Sequence, residues 1–111
     1  MATSDFETYK NLANAIIAKQ VELLGRDLAI KKAQKVGGLQ VDEEGSVVSI
    51  LEDNIKTLGE LVRKYSDVSG NTAIKFCRES IKPILEENPD IKLPKELQEN
   101  FSLEENFLSA L

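Results

Sequence analysis

Histidine and tryptophan do not occur in this 111-residue sequence, and cysteine and methionine occur once each. Without histidine the chain lacks the commonest general base near neutral pH and the usual haem ligand. The single cysteine, Cys77, excludes an internal disulfide framework and any Cys/His zinc site. Aromatic residues are 5% of the chain, too few for a stacking surface that would take bases or sugars. No stretch approaches the roughly 18–20 consecutive apolar residues of a membrane span, so no membrane association is expected. The opening residues, Met1-Ala2-Thr3-Ser4-Asp5, carry acid rather than lysine or arginine, and no short apolar run follows them. A secretory signal is therefore not expected. With one lone thiol, the expectation is a soluble cytoplasmic protein.

Charge narrows the partners. There are 14 basic and 19 acidic residues, a net charge of −5. Residues 1–36 alone lean basic, with six bases against four acids. Lys31, Lys32 and Lys35 crowd the end of a predicted helix, where the helix dipole favours cations. Phosphate affinity needs more positive charge gathered on one surface, so a nucleic-acid partner is not expected.

Hydrophobic spacing points to a mainly α-helical fold. Over residues 5–36, Tyr9, Leu12, Ala13, Ile16, Ile17, Val21, Leu24 and Leu28 recur at helical steps. Ser4 and Glu7 have capping-box spacing at the start, and Gly37-Gly38 offers a stop. A second apolar line, Ile16, Leu23 and Ile30, widens the face. Residues 39–48 change period. Leu39, Val41, Val47 and Val48 flank Asp42-Glu43-Glu44-Gly45, a short β-hairpin signal. Ser49 and Glu52 repeat the capping box ahead of a second helix over about 50–66, with Leu51, Ile55, Leu58, Val62 and Tyr65 as its stripe. A third helix runs over about 70–87 with Ile74, Cys77, Ile81, Ile84 and Leu85 inward, and Pro83 should kink or shorten it. These two are expected to lie antiparallel. Residues 1–88 thus form one helical domain. Residues 89–111 read as a proline-punctuated connector, with one turn near Pro94-Lys95-Glu96-Leu97, and a short amphipathic helix.

Each candidate for chemistry has a plainer structural explanation. Cys77 lies on an apolar stripe with no histidine to activate it, so it reads as a small buried hydrophobe. A calcium loop starting at Asp42 would need glycine at its sixth position and glutamate at its twelfth, but Val47 and Asp53 stand there. The acids sit at helix starts, in turns or in four-apart pairs with bases. None is isolated on an apolar face, where burial would raise its pKa. No phosphate-binding glycine motif is present. No catalytic, metal-binding or cofactor-binding residue is expected, and the chain reads as non-enzymatic.

Two glycines and the opening helix carry the functional expectation. Gly25 and Gly59 each interrupt a predicted helix at about 1 kcal/mol relative to alanine. Each has an apolar residue four before and three after, which predicts close approach of the first two helices at these points, within a subunit or between two. A helix over 5–36 would be about 45 Å long and would overhang a body with a radius of gyration of about 13 Å. Its surplus apolar face predicts a homodimer, with Leu12, Ile16, Leu23, Ile30, Gly25 and Gly59 at the self-association surface. Phe101, Leu103, Phe107 and Leu111, flanked by acids, predict a segment that docks on a protein partner as a helix. The expected role is a homodimeric adaptor or regulatory module. The alternative is a binder of a small apolar ligand in a cavity between helices.

Overall fold

The computed structural model describes residues 5–98 and Phe101. Four helices and one hairpin follow in the order α1 (Asp5–Leu24), α2 (Arg26–Gln34), β1 (Leu39–Val41), β2 (Val47–Ile50), α3 (Asn54–Ser69) and α4 (Asn71–Glu87), and a 3-10 turn at Lys95–Leu97 ends the series. The mainly helical reading with a short antiparallel hairpin is what the chain adopts. The radius of gyration is 13.4 Å.

The core forms where α1, α3 and α4 meet. Leu12, Ile16 and Ile17 of α1 are buried with Leu61, Val62 and Tyr65 of α3 and Cys77 and Ile81 of α4. α1 packs chiefly on α4, and α3 packs on both. These positions keep the three-and-four spacing that puts side chains on one helical face.

The expected single helix over residues 5–36 is two helices. Gly25 stands between them with φ +87° and ψ 155°, a conformation essentially confined to glycine. Its amide donates to the Val21 carbonyl (3.0 Å) and its carbonyl accepts from the Ala29 amide (3.1 Å), so the chain changes direction with hydrogen bonds kept on both sides. α2 thereby comes onto α3. Ala29 and Ala33 are buried, and the Tyr65 hydroxyl donates to the Ala29 carbonyl at 2.8 Å. Nothing lies within 4 Å of where a Cβ would sit on Gly25. No close helix contact forms there within the chain, and the glycine serves the backbone turn.

The hairpin packs in the angle between α1 and α2, which answers the marginal stability of an isolated two-stranded ribbon. The Val47 amide donates to Asn14 Oδ1 of α1 at 2.8 Å. Gln34 Nε2 of α2 donates to the carbonyls of Val41 and Asp42, both at 3.4 Å. Asp42 Oδ1 closes the turn by accepting the amides of Glu44 and Ser46, and Gly45 has φ +88°. Leu39 pairs with Ile50 and Gln40 with Ser49, with an irregularity between Gln40 and Val41.

Pairing through Ile50 delays the next helix. Ser49 lies in β2, where its hydroxyl donates to Gln40 Oε1 at 2.6 Å, so it does not cap α3. Asp53 does, its Oδ2 accepting the Lys56 amide at 2.7 Å. Leu51, expected on the helix stripe, precedes α3 and is 62% exposed. Gly70, at φ +60°, separates α3 from α4. α4 runs through Pro83 to Glu87; Pro83 is on the exposed side, where the carbonyl that loses its donor can meet water.

Gly25→Ala should lower stability by about 1–3 kcal/mol, since alanine is strained at this φ and ψ although it has room. Urea unfolding followed by circular dichroism measures this. An unfolding midpoint above that of the parent chain would show that the break at residue 25 constrains nothing.

Candidate functional site

The residues expected at a self-association surface separate on folding. Leu12 and Ile16 are fully buried inside their own subunit. Ile30 is buried too, beneath the hairpin turn, 3.1 Å from where a Cβ on Gly45 would lie. The physical reason is the turn at Gly25, which splits the broad apolar face between two directions and lets α3, α4 and the hairpin cover it. Leu23 is 43% exposed, and Leu28, beyond the glycine, 41%.

Gly59 does mark a close approach, though not of α1. A Cβ there would stand 2.8 Å from Glu96 Oε1 and 3.1 Å from Pro94 Cβ. The neighbour is the stretch after α4, which lies along the body instead of standing off as a connector. Ile91 and Leu93 pack against the core, and Leu97 is part of it. The Tyr9 hydroxyl donates to the Lys92 carbonyl at 2.6 Å, and the Phe101 amide donates to the Gln98 carbonyl at 3.0 Å.

Glu96 was not legible as a special acid. It is 6% exposed and accepts a hydrogen bond from Arg63 Nε of α3. The charge-assisted bond compensates removal of a carboxylate from water. Its sequence signal is faint: an acid between Pro94 and Leu97, opposite a helical glycine. Farther along, Arg78 Nη2 of α4 donates to the Phe101 carbonyl. Phe101 is half-buried against the core. Leu103, Phe107 and Leu111, the rest of the expected partner-binding set, lie outside the described residues.

Cys77 is a core residue, as its stripe position implies. Burial pushes its thiol up to about 12, and the Gln20 Nε2 hydrogen bond at 3.6 Å only partly offsets this. A thiol in that state is not a nucleophile at neutral pH. Among the described residues no group of three or more acids or cysteines is placed to hold a metal ion.

Open clefts remain on the surface. An open cleft of about 620 Å³ lies where α1 and α3 begin and α4 ends, with Asp5, Asp53, Glu87 and Asp90 around it. A second of about 380 Å³ runs along the hairpin, with Gln34, Val41 and Val48 in its wall. A third of about 260 Å³ lies on α4 between Lys75, Arg78 and Lys82 and the apolar Leu85 and Leu97. The chain matches no protein-family profile, no curated protein and no solved structure. What it does has to be read from these surfaces.

Two outcomes follow from the buried groups. Ellman's reagent at pH 8 should modify Cys77 at least about 100-fold more slowly in the folded chain than in urea, because both access and thiolate are suppressed. An equal rate in both would place the thiol at the surface. The raised thiol also fixes a sign. Below the ordinary value of 9.0 the folded and unfolded chains both hold the proton. As the pH rises towards 12 only the unfolded chain loses it, so stability falls across that window. Tyr65, raised mainly by its own burial, adds to the fall above its ordinary value of 10.0. The melting temperature should drop from pH 9 to 11, and less steeply in Cys77→Ala; an identical slope would remove the thiol from the account.

The Glu96 seat makes a separate statement. Glu96→Gln should cost about 1.5–3 kcal/mol, the usual worth of a hydrogen bond to a charged group, towards the lower end because Arg63 is half exposed. Thermal unfolding measures it, and an unchanged midpoint would show that Arg63 contributes nothing to holding residues 94–97.

Proposed function

We propose that this chain is a non-enzymatic interaction module, a homodimeric adaptor or regulatory protein that works by contacts with other polypeptides. The observation that supports this is the exposure of Leu23 and Leu28, at 43% and 41%, on either side of Gly25. The core beneath them is already closed by the chain's own residues. Apolar side chains of that size gain free energy when a partner removes them from water, at about 25 cal/mol per Å². Of the self-association residues named from the sequence, Leu23 and Gly25 remain exposed, and the Leu28 side chain joins them. Partner contact is assigned to the segment from Phe101 through Leu103, Phe107 and Leu111. Holding of a small apolar ligand between the helices has less support. The helix-facing positions are occupied by Leu12, Ile16, Leu61, Val62 and Tyr65, and the cleft of about 620 Å³ is bordered by acids.

Light scattering at micromolar concentration tests the self-association. The parent chain should show twice the 12.3 kDa chain mass. Leu23→Asp with Leu28→Asp should show the single mass, with folding of the subunit changed by no more than about 0.5 kcal/mol per site, as for surface positions. A parent chain at the single mass overturns the homodimer.

A further inference from the structure

The outward side of the corner at Gly25 carries its charges in a fixed order. Ala29, Ile30 and Ala33 define the inner side of α2. Leu28, Lys31 and Lys35 follow one another at steps of three and four on the opposite side. All three are exposed, as are Asp27 and, at the end of α1, Glu22 and Leu23. Arg26 does not join them. Its Nη2 donates to the Glu43 carbonyl at 3.2 Å and lies 3.9 Å from the Glu44 carboxylate, so this cation is turned to the hairpin. The exposed charges therefore run acid first, Glu22 and Asp27, and then base, Lys31 and Lys35. Leu23 and Leu28 lie among them.

The subunit makes little use of these charges itself. Asp27 and Lys31 have the four-residue spacing of a helical ion pair. Yet among the described residues neither of them, nor Lys35, is in an ion pair. Glu22 meets Lys19 at 3.5 Å and keeps 68% of its side chain exposed. The space over Gly25 is open, so a neighbour can come close to the backbone at the corner.

The order of charges selects the occupant. A partner charged with one sign would be drawn to one end of this surface and repelled by the other. A second copy turned about a two-fold axis presents the same charges in reverse, and an isologous contact has to be self-complementary in this way. With the two α2 helices antiparallel and the axis at the level of Ala29, Asp27 faces the partner's Lys31. Glu22 then comes near the partner's Lys35. Helices packed about 8–10 Å apart leave such side chains within reach of each other.

We propose that the α1–α2 corner is an isologous interface in which α2 lies antiparallel to α2 of a second copy. Reciprocal Asp27–Lys31 and Glu22–Lys35 pairs surround Leu23 and Leu28. This rests on the chain being a homodimer, and it gives that dimer an orientation, acidic end to basic end.

Charge reversal in the full-length chain tests the orientation. Lys31→Glu/Lys35→Glu makes both ends acidic, and Glu22→Lys/Asp27→Lys makes both basic. Every substituted position is exposed, and circular dichroism reports that each variant is folded. Alone, each should have a dimer dissociation constant at least about 10-fold above the parent's in sedimentation equilibrium, because four like-charge contacts replace four attractive ones. The first pair of substitutions raises the net negative charge and the second lowers it, so overall repulsion cannot weaken both. Mixed in equal amounts, the two variants should form a mixed dimer about as tight as the parent's. A chain with all four substitutions should again pair with itself. In a parallel pair like ends already meet, and in one held by the leucines alone charge is immaterial, so each reversed variant would then match the parent. That match, or a mixture that restores nothing, overturns the antiparallel interface and leaves the homodimer standing. A parent chain at the single mass removes both.

Discussion

A single backbone conformation at Gly25 governs how the rest of the chain can pack. Residues 5–34 are helical on both sides of it, and an uninterrupted helix would carry its apolar residues along one rod. With φ positive at this residue, α2 leaves the line of α1 and lies on α3. Three things depend on that change of direction. Ala29 and Ala33 enter the core, the Tyr65 hydroxyl finds the Ala29 carbonyl, and an angle opens in which the hairpin rests. Asn14 and Gln34, one from each helix, then supply hydrogen-bond partners to strands too short to stand alone.

The far end of the chain is organised by a second glycine used in another way. Gly59 has ordinary helical surroundings, and its lack of a side chain gives Pro94 and Glu96 room on α3. Residues 91–98 and Phe101 are consequently part of the body, fastened by Tyr9, Arg63 and Arg78 from three different helices. None of these three contacts requires a sequence of special character. Each joins a common side chain to the backbone or carboxylate of a distant residue, so each becomes visible only after folding.

The sequence discloses periodicity well and backbone geometry poorly. The stripes Leu58, Val62, Tyr65 and Ile74, Cys77, Ile81 are buried as their spacing implies, since burial of one helical face dictates that spacing. Asp42 to Gly45 form the hairpin turn for the reasons their residue types suggest. The two glycines stand out as anomalies, but a helical glycine can relieve crowding or permit positive φ, and the residues around it do not say which. Gly59 does the first and Gly25 the second. Ser49-Ile50-Leu51-Glu52 has the spacing of a helix cap, but its first two residues are strand, because pairing of Ile50 with Leu39 competes for the same residues. Leu12, Ile16 and Ile30 look like surplus apolar surface only while the helix is assumed straight. The basic face of α4 is spread over residues 75, 78 and 82 with Glu79 between, so it emerges only once the helix places those three together.

The contact of α1 with α4 has a bearing on synthesis. α1 is made before α4, its principal cover, which is not translated until about 60 residues later. At roughly 5–20 residues per second, the growing chain carries Leu12, Ile16 and Ile17 without that cover for about 3–12 s. During that interval the ribosome-bound polypeptide presents an amphipathic helix to its surroundings, and a nascent-chain chaperone has its best opportunity before α4 emerges.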